Sequence, residues 1–317
     1  MNRQETIKAY LALAAVCFFW GTTYLAIRIG VEVMPPALFA GIRFFVAGLI
    51  FIPILRVFGH AMPSKNDWRI IIMISIALLV VANGIVVWAE QWVPSGLAAL
   101  IVSTLPFWMV GIEAMLPRGE SLSLQKITGL VIGFSGLLIL LWPDLHSAIN
   151  REYLVGIGAI AFAAISWAAG SVYSKHRKVS AKPLMSSAFQ MLIAGTILIF
   201  IGIINDELSK LTFTSQGVLS LVYLIIFGSI VGYGSFVYAL NKLPSSIVSM
   251  YAFINPIVAV ILGWLILDER LDWRVAIATA IILFGVVVVK KSSTHKTVEQ
   301  ISTKKHLFIG VVEDDVV

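Results

Sequence analysis

Residues 70–89 read IIIMISIALLVVANGIVVWA, and no charge interrupts them. As a helix the stretch is about 30 Å long, the thickness of a bilayer's hydrocarbon core. A helix on the surface of a soluble protein carries a polar stripe; the polar groups here are Ser75, Asn83 and the Trp88 indole. The stretch is a membrane span that holds a few polar side chains against the preference of lipid.

The same reading gives spans at 9–29, 36–55, 70–89, 95–115, 124–142, 153–174, 184–204, 217–239, 245–266 and 273–289. Between them lie turn and loop residues such as Met34-Pro35-Pro36, Val93-Pro94-Ser95 and Asn241 to Pro244. The 317 residues are 59% hydrophobic and 13% charged, with a mean hydropathy of +0.94. Too few polar groups exist to cover a soluble globule, and the apolar content excludes disorder. Lipid offers the backbone no hydrogen-bond partner, so each span must be helical. A membrane barrel would alternate polar and apolar residues in short segments instead. The expected fold is an all-α polytopic membrane protein with ten transmembrane helices. Cys17 is the single cysteine, which leaves no internal disulfide and no cysteine metal cluster. Arg3 and Lys8 precede the first apolar run as in a signal peptide, but the run is long and no small-residue cleavage site follows, so it is kept as a span.

The net charge of +6 marks orientation. With a cytoplasmic N-terminus, 17 of the 23 Lys and Arg fall on the inner side, four on the outer side, and Arg28 and Arg43 within spans. Both termini are then cytoplasmic, in a plasma or inner membrane. The basic excess needs no nucleic acid. The tail at 291–317 begins basic, ends acidic and reads as cytoplasmic.

The chain also repeats itself. Trp20 aligns with Trp167 and Ala47-Gly48 with Ala194-Gly195 at an offset of 147; Val87-Trp88-Ala89 aligns with Val237-Tyr238-Ala239 and Pro106 with Pro256 at 150. Two units, 9–142 and 153–290, each hold five spans. Five is odd, so the second unit enters the membrane upside down, giving inverted repeats. Secondary transporters recurrently use this plan, with a midplane site at the repeat interface.

Phe19-Trp20-Gly21 in the first span, Arg43-Phe44 in the second and GWLILDERL at 263–271 resemble the EamA domain of the drug/metabolite transporter superfamily. RGESL at 118–122 is a looser counterpart of the last motif. The resemblance covers both units and implies an ATP-independent ten-helix transporter, often an exporter of amino acids, metabolites or drugs. It implies no particular substrate. Small multidrug-resistance relatives use a glutamate in their first span, and 9–29 contains none.

Polar groups inside spans are the candidate site residues. They are Trp20 and Tyr24 in the first span, Arg43 in the second, Asn83 and Trp88 in the third and Thr104 in the fourth. The second unit adds Trp167, Gln190 (the counterpart of Arg43), Tyr233, Tyr251 and Asn255. Aromatics with a few hydrogen-bonding groups suit a partly apolar organic solute. Pro106 and Pro256 are expected to bend or hinge their helices by freeing a carbonyl. Each has a plainer reading beside it. Trp and Tyr also serve as packing or interfacial anchors, Thr bonds its own helix, and Arg43 can snorkel outward. Glu90 and Glu113 sit near span ends and could titrate with a transported proton. Neither a phosphate loop nor a His-Glu-x-x-His motif occurs. The expected activity is secondary transport of a small-molecule substrate by alternating access, without enzyme chemistry, metal or cofactor, driven by a proton or by no ion. An uncoupled facilitator or channel is the alternative. The assembly is a monomer or homodimer within the bilayer.

Overall fold

The computed structural model describes residues 3–116, 124–141, 151–177, 179–243, 245–248, 251–268, 273–285 and 287–288. The tail at 291–317 and the motif residues 118–122 and 269–271 lie outside them. Among the described residues every regular element is helical.

The long helices are α1 (Arg3–Val31), α2 (Pro36–Val57), α3 (Lys65–Ala89), α4 (Ser95–Met115), α5 (Leu124–Leu141), α6 (Arg151–His176), α7 (Pro183–Ile204), α8 (Ser215–Lys242), α9 (Tyr251–Leu267) and α10 (Trp273–Gly285). Seven of them (α1–α4 and α6–α8) are long and apolar enough to cross a bilayer. Large apolar side chains such as Leu11, Phe18, Val57, Phe200 and Leu219 are exposed on the outside. On a soluble protein that surface would aggregate; against lipid it is the expected exterior. The chain is a multi-pass membrane protein.

Helix ends follow local chemistry. Prolines 36 and 183 occupy first helical positions, where the missing N–H is no loss. Thr214 caps α8 by accepting from Gly217 N at 3.1 Å. The α2 N-terminus is capped from far along the chain: Glu207, just past α7, accepts from Ala37 N at 3.3 Å and Leu38 N at 2.8 Å. A carboxylate there also complements the positive end of the helix dipole.

Packing inside depends on small residues. The broadest interface joins α2 to α7, with Ala40, Ala47, Ala188 and Ala194 fully buried. Gly41, Gly48 and Gly195 let the two backbones meet. α10 lies on α5 in the same way, Gly285 against Gly129 and Gly133.

At the end of the bundle opposite Glu207, Asp67 ties two loops together. Its carboxylate accepts from Ser64 N and Oγ, both at 2.8 Å, from Ser180 N at 2.9 Å and from Ser180 Oγ. Asp67 is itself buried, so its removal strands several donors. Asp67→Ala is expected to destabilise the protein by about 1–3 kcal/mol. Thermal unfolding in detergent checks this, and an unchanged midpoint would show the ties to be idle.

Two helices depart from regular α geometry. Ile76–Asn83 in α3 and Leu224–Tyr233 in α8 are π-helical. Such segments are rare and concentrate at functional sites. α4 also breaks at Ser103-Thr104, where both hydroxyls donate back to carbonyls (Leu100 O at 2.6 Å, Ile101 O at 2.7 Å). Pro106 follows this break directly. Pro256 instead lies within the continuous helix α9.

Candidate functional site

The two π segments face each other across the middle of the bundle, and a cavity of about 70 Å³ lies between them. Its walls come from α1 (Trp20, Thr23, Tyr24), α2 (Arg43, Phe44), α3 (Leu79, Asn83), α4 (Val102), α6 (Trp167), α8 (Gly228, Tyr233) and α9 (Tyr251). So small a space holds a few waters. A metabolite needs several times more, so these helices must separate to admit one.

One end of the cavity is aromatic. Trp20 meets Trp167 edge to face at 5.4 Å and Tyr251 at 5.2 Å, while Phe236 packs 5.1 Å from Trp20 and 5.6 Å from Trp167. Edge-to-face pairs of this kind fix ring orientation. Trp20 is also held by its indole N–H, which donates to Gly228 O at 3.1 Å. Gly228 belongs to the π segment of α8, where the altered backbone ladder leaves carbonyls for outside donors. The same arrangement recurs on the other side: Ser166 Oγ, next to Trp167, donates to Ala77 O in the π segment of α3 at 2.8 Å.

The other end is polar. Arg43 is 3% exposed, with Nε donating to Ser229 Oγ at 2.9 Å and Nη1 lying 3.5 Å from Asn83 Oδ1. Its guanidinium stands 4.7 Å from the Phe44 ring centre. Arg43 therefore points into the protein and does not snorkel. Both polar partners come from the π segments. Gly228 makes room for the group, since a Cβ there would lie 2.9 Å from Arg43 Nη2.

The remaining sequence candidates stand around this cavity without lining it. Gln190 is buried and accepts from the Tyr233 hydroxyl at 2.5 Å. The Asn255 amide faces the carbonyls of Tyr251 (3.1 Å) and Cys17 (3.0 Å), which makes the atom facing them its nitrogen and ties α9 to α1. Thr104 Oγ1 accepts from Trp108 Nε1 at 3.1 Å. Trp88 is turned away, stacked edge-on with Trp92 at 4.8 Å in a separate open groove of about 710 Å³ beside α7. Glu113 pairs with Lys175 at 3.2 Å. Arg28 pairs with Glu32 at 3.6 Å and donates to the carbonyls of Glu90 and Gln91. Among the described residues no group of His, Cys, Asp and Glu is arranged to hold a metal ion.

The EamA-like transporter family matches residues 7–142 and again 154–290. The chain belongs to that family. Its EamA relatives include the uncharacterized inner membrane transporter YedA of Escherichia coli strain K12, 34% identical over 91% of this chain and 92% of YedA. The uncharacterized transporter YoaV of Bacillus subtilis is 25% identical over 88% of this chain and 96% of YoaV. A protein of E. coli K12 named a probable amino-acid metabolite efflux pump is 24% identical over 91% of this chain and 95% of its own length. A solved crystal structure shares the fold, with a TM-score of 0.68 at 22% identity, covering 91% of this chain and 98% of that one.

Several residues that line or support the EamA cavity carry a sequence signal weaker than their role. Ser229 and Gly228 look like one more hydroxyl and half of a Gly-x-x-x-Gly packing motif, yet they seat Arg43. Gly232 likewise accommodates Trp20, whose Nε1 would lie 2.5 Å from a Cβ at that position. Phe44 and Phe236 carry no polar signal and read as ordinary apolar residues. The π segments have no compositional mark; only their placement at 76–83 and 224–233, an offset close to that of the repeat, ties them to the rest.

Proposed function

We propose that the chain is a secondary, ATP-independent transporter that exports small organic metabolites by alternating access. In this reading α1–α5 and α6–α10 are two inverted repeats spanning the membrane ten times. The central cavity is the solute site at their interface. The observation that carries it is the reciprocal tie across that cavity. The first helix of each unit donates to a π-segment carbonyl of the other, Trp20 to Gly228 and Ser166 to Ala77. With the close-packed α2–α7 seam and the Asp67 and Glu207 ties holding the units together, they can rock about that seam and open the aromatic cavity on either face. The basic residues at 175–182 and in the tail support an orientation with both termini cytoplasmic, in a plasma or inner membrane. The relative named as an efflux pump supports the outward direction. Trp20, Tyr24, Arg43, Asn83, Trp167, Tyr233 and Tyr251 contact the solute, and Gln190, Asn255 and Thr104 position them. Pro106 and Pro256 give flexibility to α4 and α9, and Trp88 serves the outer groove.

Proteoliposomes test the reading. Uphill solute movement under an imposed proton or ion gradient supports coupled transport; downhill flux alone under every gradient leaves only an uncoupled facilitator. Trp20→Ala and Trp167→Ala are expected to cut flux by about 100-fold, equivalent to about 2.7 kcal/mol of transition-state stabilisation, while insertion and thermal stability stay near wild type. Wild-type flux in both variants would remove the aromatic pair from the site.

A further inference from the structure

Arg43 is charged and 3% exposed, and no carboxylate among the described residues lies within ion-pair distance of it. Its recorded polar partners are neutral: the Ser229 hydroxyl and the Asn83 amide oxygen. A guanidinium carries five N–H donors; those two partners leave the others without a recorded protein acceptor on a side chain that lines the cavity. A buried charge with no counter-ion in direct contact is among the more expensive features a protein can keep. Arginine removed from water in this way is commonly matched by a carboxylate or phosphate, which its planar fork binds in two places.

The cavity's other residues narrow what that match is. Of the lining side chains among the described residues Arg43 alone is ionic; the rest are aromatic, aliphatic, small or neutral polar. Glu90 acts on Arg43 electrostatically but does not line the space. A second donor is available: the buried Trp167 Nε1–H has only a loose approach to the Tyr251 hydroxyl and no acceptor in good hydrogen-bond geometry. A cation would meet Arg43 at close range in a low-dielectric pocket and be repelled. A zwitterion would satisfy Arg43 with its carboxylate but bring an ammonium group that finds no lining acid. A monoanion with an apolar body neutralises the pocket and fills its aromatic end.

Resting on the transporter reading above, we infer that the transported solute is an organic monoanion, a carboxylate on an aromatic or branched apolar body, bound with its negative group on Arg43. Phe44 backs the guanidinium, Ser229 and Asn83 aim it, and the Trp20–Trp167–Tyr251 cluster receives the apolar body.

The test uses the full chain in nanodiscs and one carbon skeleton at several charges. 3-Phenylpropionate, phenylalanine, 3-phenylpropanamide and 2-phenylethylamine are compared by thermal stabilisation and tryptophan fluorescence, beside 4-methylpentanoate, leucine and 4-methylpentanamide. The monoanions are expected to bind at least about tenfold more tightly than the amides and the amine, the range of a hydrogen-bonded charge pair. Arg43→Gln should erase that preference, and Arg43→Lys should keep part of it, because the charge survives and the fork does not. The charge series on the unaltered protein stands even if Arg43→Gln fails to fold. Equal or tighter binding of amide or amine overturns the inference, as does an unchanged preference in Arg43→Gln. Tighter binding of phenylalanine and leucine than of their desamino acids overturns the monoanion in favour of a zwitterion. A panel in which nothing binds overturns it too. Flux separates this inference from the reading beneath it. Arg43-dependent anion binding without flux in proteoliposomes sinks transport alone, and Arg43-independent flux of a cation sinks the monoanion alone.

Discussion

Gly195→Leu is expected to yield no monodisperse protein. A Cβ at Gly195 would run into the backbone nitrogen of Phe45 and come within 2.5 Å of its Cα. Backbone atoms in the middle of a helix cannot rotate aside as a side chain can, so the only relief is separation of α2 from α7. Gly48 stands in the counterpart position, 2.6 Å from Leu192 N and 2.8 Å from Ala188 O by the same measure, and Gly41 is 2.7 Å from Ile199 N. The interface is therefore closed along its length, and opening it at one glycine opens it at all three. Overpacking a core costs about 1–3 kcal/mol and occasionally more. In lipid the separated helices find an equally apolar solvent, so little resists their parting. Gly195→Ala already carries the clashing Cβ and should lower the unfolding midpoint, by about 2–4 °C for each kcal/mol lost in a chain of this order of size. The further leucine atoms force the helices wider apart. Gly195→Leu should elute as aggregate in size exclusion. A monodisperse Gly195→Leu with a wild-type midpoint would show that the helices do not meet as described. The consequence reaches the cavity, because α2 carries Arg43 between Gly41 and Gly48, and its register against α7 sets where the guanidinium points.

The class of fold was readable because lipid imposes it. A stretch such as 70–89 without charge has one economical structure, and each proline that opens a span has one favoured place. The start of α2 at Pro36 was accordingly legible to the residue. The start of α3 was not: the helix begins at Lys65, since a turn capped by Ser64 and Asp67 extends it into the polar loop, where hydropathy is silent. Seven of the candidate side chains line the cavity because a polar or aromatic group at mid-span must face something other than lipid. Trp88 lies five residues beyond Asn83, about 140° around an α-helix, and so faces the outer groove. Thr104 and Gln190 spend their polarity on neighbours, a choice that depends on packing distances no sequence displays. The π segments are the clearest omission. Ile76–Asn83 and Leu224–Tyr233 read as ordinary apolar parts of a span, and apolar composition does not distinguish a wide turn from a regular one.

That hidden feature makes a sharp prediction. A π segment accommodates an extra residue within an α-helix by widening one turn. Deleting one residue inside it, such as Val81, should let α3 return to regular α geometry with both flanking faces preserved. Deleting one from the regular part, such as Met73, rotates everything beyond it by about 100° and throws Ser75 and Leu78 out of the core. The first variant is expected to insert and purify like wild type, and the second to misassemble. Function should divide them differently. Straightening the turn withdraws Ala77 O from Ser166, now 2.8 Å away, and shifts Asn83 from its place 3.5 Å from Arg43. Flux in the Val81 deletion should fall by about 100-fold or more, equivalent to about 2.7 kcal/mol, in a protein whose unfolding midpoint is unchanged or higher. Full flux from a straightened α3 would make the widened turn a packing accident. Loss of flux with retained stability would identify it as the joint on which α3 moves, placed where a regular helix would bond its own carbonyl and leave Ser166 nothing to hold.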